Sequence, residues 1–265
     1  MILDEIMAHK LHELEKRRRT VPLADLKARA ADQPPPLDFA AALGGEGVRL
    51  IAEVKRASPS RGVLCSGFDP VRLAMTYATN GAAAISVLTD NRFFQGKLED
   101  LAEVKRLLLR LRLAIPILRK DFIFDPYQVV EARAVGADAL LLIVVVLADE
   151  MLAELLALTH DMGMTALVEV HDEEEVERAL RLRPRVIGIN NRNLRDLSVD
   201  LSSFERLYPL LPDDVIAVAE SGVQTAADVR CLAGMGANAV LVGEALITAY
   251  DAAAKTRELV AGGLS

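Results

Sequence analysis

Glu53 and Lys55 stand two residues apart in the run Leu50-Ile51-Ala52-Glu53-Val54-Lys55. On a β-strand that spacing turns a carboxylate and an ammonium to one face, and the turn formers Ser58, Pro59 and Gly62 follow at once. Other apolar runs stop in the same manner. Lys120 is in phase with Leu118, Glu169 is in phase with Leu167, and Asn190 closes the run beginning at Val186. Lysines can protonate an oxygen on which charge develops, and carboxylates can remove a neighbouring proton. Two carboxylates, two lysines and an asparagine at the ends of apolar runs are hard to explain as packing, because unpaired inward charges are costly to bury.

Such residues meet only if the runs are parallel strands with their ends on one side. Apolar β-like runs occur at 50–54, 83–88, 115–118, 139–144, 166–168, 186–189, 215–218 and 239–242. Segments of helical length separate them, at 70–79, 98–113, 126–135, 148–162, 172–182, 201–211 and 226–234, and 248–260 closes the series. Unbroken strand–helix alternation with strands apolar on both faces predicts an α/β protein, a (β/α)8 TIM barrel. An open doubly wound sheet is the alternative, but no Gly-x-Gly-x-x-Gly follows the first strand.

Residues 1–48 precede the barrel as an N-terminal helical extension, expected to cap its mouth, and residues 49–265 form the barrel. Leu3, Ile6 or Met7, Leu11 and Leu14 recur at the spacing of one helix face. Lys16-Arg17-Arg18-Arg19 reads as a solvated helix end. Pro22 suits the first turn of a second helix, and Gln33-Pro34-Pro35-Pro36 a stiff connector. The short segment Phe39–Leu43 leads into the first strand.

The last two strand ends differ in kind. Ser221-Gly222 and Gly243-Glu244 offer open backbone N–H groups where phosphate-binding barrels hold a phosphate, and a short helix starting near Ala245 would aim its amides there. With a formal net charge of −7, an anionic substrate must be captured by local cations and helix ends. The same charge argues against nucleic acid as a partner. No apolar run nears the roughly 18 residues of a membrane span, and the first residues lack the basic start of a signal peptide. Cys65 and Cys231 lie far apart with no Cys-x-x-Cys spacing, the pattern of a reduced, cytoplasmic protein.

These residues carry a family resemblance. Ala52-Glu53-Val54-Lys55-Arg56-Ala57-Ser58-Pro59-Ser60, Leu118-Arg119-Lys120-Asp121-Phe122, Ile187-Gly188-Ile189-Asn190-Asn191-Arg192-Asn193-Leu194, Ala219-Glu220-Ser221-Gly222 and Leu241-Val242-Gly243-Glu244 occur in that order. The chain resembles indole-3-glycerol phosphate synthase from Ile2 to its last helix. The resemblance implies closure of 1-(2-carboxyphenylamino)-1-deoxyribulose 5-phosphate to indole-3-glycerol phosphate with loss of carbon dioxide and water. It implies Lys120 as the acid for ring closure, Lys55 as the holder of the substrate carboxylate and acid for dehydration, and Glu53 as the dehydration base. Glu169 would bind or protonate the developing alkoxide, while Asn190 would hydrogen-bond the substrate hydroxyl or ketone region and Ser221 the substrate near its phosphate. Ser58, Arg192, Gly222, Gly243 and Glu244 would surround the phosphate. Pro59, Phe94, Phe122, Leu141 and Leu194 would form the slot for the anthranilate ring.

The carboxylate beside Lys55 stabilises the ammonium there, which favours Lys120 as the main acid. A lysine acid at neutral pH also calls for a neighbouring cation or a desolvated site. No metal or organic cofactor is required, and His171 has no second histidine near it in sequence. The alternatives are phosphoribosylanthranilate isomerase or another phosphosugar isomerase on the same barrel, and a non-catalytic phosphosugar-binding barrel. The expected partner is a small phosphosugar alone, with the protein a monomer or weak homo-oligomer.

Overall fold

The computed structural model describes residues 2–59, 61–65, 67–193 and 198–264. Eight parallel strands, β1 (Arg49–Val54), β2 (Ala84–Leu88), β3 (Ile117–Lys120), β4 (Ala139–Ile143), β5 (Thr165–Val170), β6 (Val186–Asn190), β7 (Ile216–Glu220) and β8 (Ala239–Val242), close in sequential order, β8 returning to β1. Alternation along each strand divides the apolar residues between two cores. Ile51, Leu118, Leu141, Leu167, Val218 and Leu241 fill the barrel interior. Their strand neighbours Ala52, Leu140, Leu142, Val168, Ala219 and Val242 pack outward against the helices. The helices begin on polar caps that replace missing backbone partners. Asp69 and Asp125 accept amides at the starts of Pro70–Thr79 and Pro126–Ala134, with proline in the first turn. Thr225 and Asp228 form a reciprocal capping box at Ala226–Gly234.

The strands extend further than apolar runs indicate. β3 occupies Ile117–Lys120 and not 115–118, because Pro116 has no N–H to donate and serves only as acceptor for Ile85. β5, β6 and β7 likewise run on through Glu169, Asn190 and Glu220. The helical segment expected at 201–211 is a short helix, Ser202–Leu207, with a 3-10 turn over Tyr208–Leu210. The segment expected at 248–260 is the helix Ala252–Gly263, which starts later on its cap Asp251, and the short helix expected near Ala245 is the one-turn helix Glu244–Ile247. A two-stranded hairpin pairing Ala57–Ser58 with Gly62–Val63 rises after β1.

The three N-terminal helices serve different ends of the barrel. α1 (Ile2–Thr20) reaches the C-terminal rim, where Lys10 Nζ lies 2.8 Å from Asp121 Oδ1 just after β3. Its basic end is solvated at Lys16, Arg18 and Arg19, as expected. Arg17 turns in to pair with Glu131 at 2.8 Å and Arg18 also reaches Asp125, because α1 lies against the start of Pro126–Ala134. α2 (Leu23–Ala31) packs Leu26 and Ala30 on Tyr127 and Val130 of the same helix. α3 (Phe39–Leu43) closes the opposite, N-terminal end, with Phe39 and Leu43 inserted among Ala84, Ala139 and Ala239. Asp138 fastens that base, accepting from Lys105, Ile117 N and Leu37 N.

Candidate active site

The strand ends enclose a cavity of about 560 Å³ at the C-terminal rim. Lys120 is its centre. The last inward residue of β3, it lies 3.2 Å from Glu169 Oε2 on β5 and 3.3 Å from Glu220 Oε2 on β7. Burial disfavours the ammonium, but Glu169, Glu220 and Glu53 together outweigh it and raise the Lys120 pKa. The site is desolvated, as expected of a lysine acid, but β5 and β7 bring carboxylates to it, so its pKa is raised and not lowered. An alkoxide is more basic than an amine, so a firmly protonated Lys120 can still give it a proton.

Glu169 uses its two oxygens differently. Oε2 faces Lys120, while Oε1 accepts from Asn190 Nδ2 at 3.1 Å. Burial opposes its charge, but Lys120, then His171 and Asn190, hold its pKa far below the ordinary glutamate value. Asn190 Oδ1 in turn accepts from Ser221 Oγ at 2.9 Å and from Arg192 N at 3.0 Å. Glu53 and Lys55 pair at 2.9 Å on the other side of the mouth.

Glu220 is the member that sequence reasoning left out. It is 2 % exposed, and burial, reinforced by Glu169 and opposed by Lys120, pushes its carboxyl up to about 8. Its signal was available, since Ile216, Val218 and Glu220 share one face of β7 and the register sets Asn190 opposite Glu220. Two glycines make room for the carboxylates. A Cβ on Gly188 would come within 2.1 Å of Glu220 Oε1, and one on Gly243 within 2.2 Å of Glu53 Oε1.

The rim has two sides. Ser221 and Gly222 both have positive φ, 66° and 90°, a backbone turn that exposes successive N–H groups. Together with Gly243, Glu244 and Arg192 they line the cavity on the β6–β8 side. Arg61, also overlooked in the sequence, crosses from the hairpin to Glu244 at 2.7 Å. Phe94, Phe122 and Leu141 line the wall formed by the loops after β2 and β3 and by β4, the two rings 6.4 Å apart. Asp90 accepts from Phe93 N and Phe94 N and sets that loop.

Every residue assigned to acid–base work thus lines the cavity, as do Arg192, Gly222, Gly243, Glu244, Phe94, Phe122 and Leu141. Ser58 and Pro59 are not among the lining residues: Ser58 is buried in the hairpin and Pro59 is exposed at its turn. Leu194 lies outside the described residues. Neither Cys65 nor Cys231 lines the cavity.

A closed barrel with an ammonium–carboxylate cluster at its mouth, an open amide turn on one flank and an aromatic wall on the other defines a barrel enzyme for acid–base chemistry on an anionic aromatic substrate. Residues 3–259 match the family described as Indole-3-glycerol phosphate synthase. The protein of that name from Roseiflexus sp. (strain RS-1) is 55% identical over 265 residues, covering 98% of both chains. That from Dehalococcoides mccartyi (strain CBDB1) is 52% identical over 261 residues, covering 98% of this chain and all of the relative. The chain belongs to the indole-3-glycerol phosphate synthase family, whose members are decarboxylating lyases of tryptophan biosynthesis. Two solved structures of low identity share the fold alone. 3-Hexulose-6-phosphate synthase from Salmonella typhimurium has a TM-score of 0.64 at 12% identity, covering 81% of this chain and 98% of its own. Thiamine phosphate pyrophosphorylase from Pyrococcus furiosus has a TM-score of 0.61 at 19% identity, covering 81% and 95%. Among the described residues no helix is long and apolar enough to cross a membrane.

Proposed function

We propose that the chain closes 1-(2-carboxyphenylamino)-1-deoxyribulose 5-phosphate to indole-3-glycerol phosphate with Lys120 as the principal acid. The observation that carries this reading is the position of Lys120, between Glu169 and Glu220 in the cavity that the aromatic wall and the amide turn also line. The substrate's ring lies against Phe94, Phe122 and Leu141, and its phosphate meets Gly222, Gly243, Glu244 N–H and Arg192. The ring carbon bearing the carboxylate attacks the ketone carbon, and the carbonyl electron pair moves to oxygen, which takes a proton from Lys120. The bond to the carboxylate then breaks, carbon dioxide leaves, and its electron pair restores the aromatic ring. In the last step the new hydroxyl leaves as water after protonation by Lys55, and Glu53 takes the proton released as the indole double bond forms. Glu169 and Asn190 orient Lys120 and the sugar hydroxyls, with Ser221 bracing Asn190. Glu220, protonated near neutral pH, returns a proton to Lys120 after each transfer.

Lys120→Ala tests the assignment. Single-turnover mixing with the substrate should show indole formation slowed by at least about 1,000-fold, while a substrate analogue binds within a few-fold of wild type. Turnover near the wild-type rate would remove Lys120 from the role of acid. We further propose a cytoplasmic protein that works as a monomer or weak homo-oligomer on this small molecule without nucleic acid. Sedimentation at working concentration checks the oligomeric state.

A further inference from the structure

His171 follows β5 directly and precedes the helix Glu173–Leu180. It does not line the cavity, yet it stands behind the carboxylate that does. Glu175 Oε2 accepts twice from this one residue, from His171 N at 2.9 Å and from the ring Nδ1 at 3.0 Å. That double grip fixes the imidazole relative to its own backbone. The far nitrogen, Nε2, then lies 3.3 Å from Glu169 Oε1, an ion-pair contact without the alignment of a full hydrogen bond.

Carboxylate and cation therefore alternate through the wall: Glu175, His171, Glu169, Lys120, Glu220. The other acid beside the ring, Asp172, spends its carboxylate on Glu175 N as a helix cap, and the adjoining turn Val144–Val146 carries no titratable group. Burial works against a charged imidazole, but its contacts with Glu169 and Glu175 raise it to about 10, so the ring is a cation at neutral pH. Without it, Glu169 Oε1 would keep Asn190 alone, and the buried carboxylate would be free to turn both oxygens toward Lys120.

We propose that His171 is a positioning residue: clamped by Glu175, it holds Glu169 Oε1 and so leaves Oε2 as the single oxygen presented to Lys120. This rests on the reading of Lys120 as the acid, and it adds a requirement behind the site that the reaction alone does not impose. A His171→Phe enzyme should lose about 10- to 100-fold in kcat with KM changed less than about threefold, the pattern of a misdirected group and not of a lost substrate contact. The acid limb of its kcat profile should move up by about one pH unit or more, since Glu169 loses a cation that keeps it ionised. His171→Gln, whose amide can still donate to Glu169, should recover most of the lost rate, and Glu175→Gln should lose rate in the same direction as His171→Phe.

An unchanged kcat and acid limb in His171→Phe, or no recovery in His171→Gln, would overturn the proposal. Nitrogen-15 spectra of the wild-type histidines at pH 8 keep it testable should the variants fail to fold: a doubly protonated His171 ring supports it and a neutral ring overturns it. Those spectra do not depend on catalysis. An active Lys120→Ala would remove the acid assignment while leaving the state of His171 to be read on its own.

Discussion

Arg119 and Lys120 are adjacent in sequence and face opposite sides of β3, each inside a cluster of charges, and the two clusters are built differently. Arg119, 1 % exposed, gives every nitrogen a partner: Nε to Thr89, Nη1 to Gln128 O, and Nη2 to Asp121 and Glu131. Asp121 is equally saturated, its oxygens taken by Thr89, Arg119, Phe122 N and Lys10. Burial opposes its charge, but Lys10 and Arg119 outweigh that and hold the Asp121 carboxyl well below the usual range. On the inner side Lys120 shares its charge between Glu169 and Glu220. Glu220 Oε1 lies buried with no hydrogen-bond partner among the described residues, and its carboxyl titrates near neutral pH. A network whose acids are countered by Arg119 and Lys10 fixes a loop, even though Glu131 Oε2 there has an ion pair and no aligned hydrogen bond. An over-acidic one, with an unsatisfied oxygen beside a cavity, can move protons.

The comparison breaks most readily on its outer half. Arg119→Met should cost about 3–5 kcal/mol, because it leaves buried carboxylates short of a counter-charge. Denaturant unfolding measures it, and a loss under about 1 kcal/mol would mean that Lys10 and Thr89 suffice alone. On the inner half, Glu220→Gln should lower kcat about 10- to 100-fold and erase the alkaline limb near pH 8 from the kcat profile. A limb that survives there belongs to another group.

Stability sharpens the same contrast. Because the folded Glu220 carboxyl is raised, the native state holds a proton that the unfolded chain releases near pH 4.5. The associated stability is complete below that value and declines as pH rises through about 8. Asp121 has the opposite sign, its contribution present above the ordinary aspartate value and lost only as the medium becomes strongly acid. Because glutamine mimics the protonated carboxyl, unfolding free energies should show wild type level with Glu220→Gln near pH 5 and the less stable of the two as pH rises to 9. Gly188→Ala is the mildest change. Its methyl must displace Glu220 Oε1, costing about 1–3 kcal/mol of stability and about tenfold in kcat, and undiminished activity would show that Glu220 has room to move.

Much of the inner cluster was legible because strand alternation is a two-residue code: Glu53, Lys120 and Glu169 are each in phase with an inward leucine or isoleucine. The same code includes Glu220, in phase with Val218, but nothing local says that it and Glu169 meet at one lysine, since β5 and β7 bring both to Lys120 only in the closed barrel. The outer cluster was not legible. Arg17 and Glu131 are 114 residues apart, and no local pattern announces a pair whose members belong to a leading helix and the third strand–helix unit. The hairpin after β1 was equally hidden, its strands only two residues long, too short for any periodicity. Ser58 and Pro59, expected at the site, belong to that hairpin.

β1 completes its pairing only with β8, with Arg49 opposite Ala239, and Val48 N donates to Gly263 O beneath them at 2.8 Å. There the two backbones pass so closely that a Cβ on Gly47 would lie 2.3 Å from Gly263 O. On the ribosome, then, the strand bearing Glu53 emerges first and waits unpaired on one side for the rest of the ring to be synthesised. Until β8 arrives, the nascent sheet has two open parallel edges, each able to recruit a foreign strand. Catalytic competence and protection from aggregation are acquired together, at the final pairing.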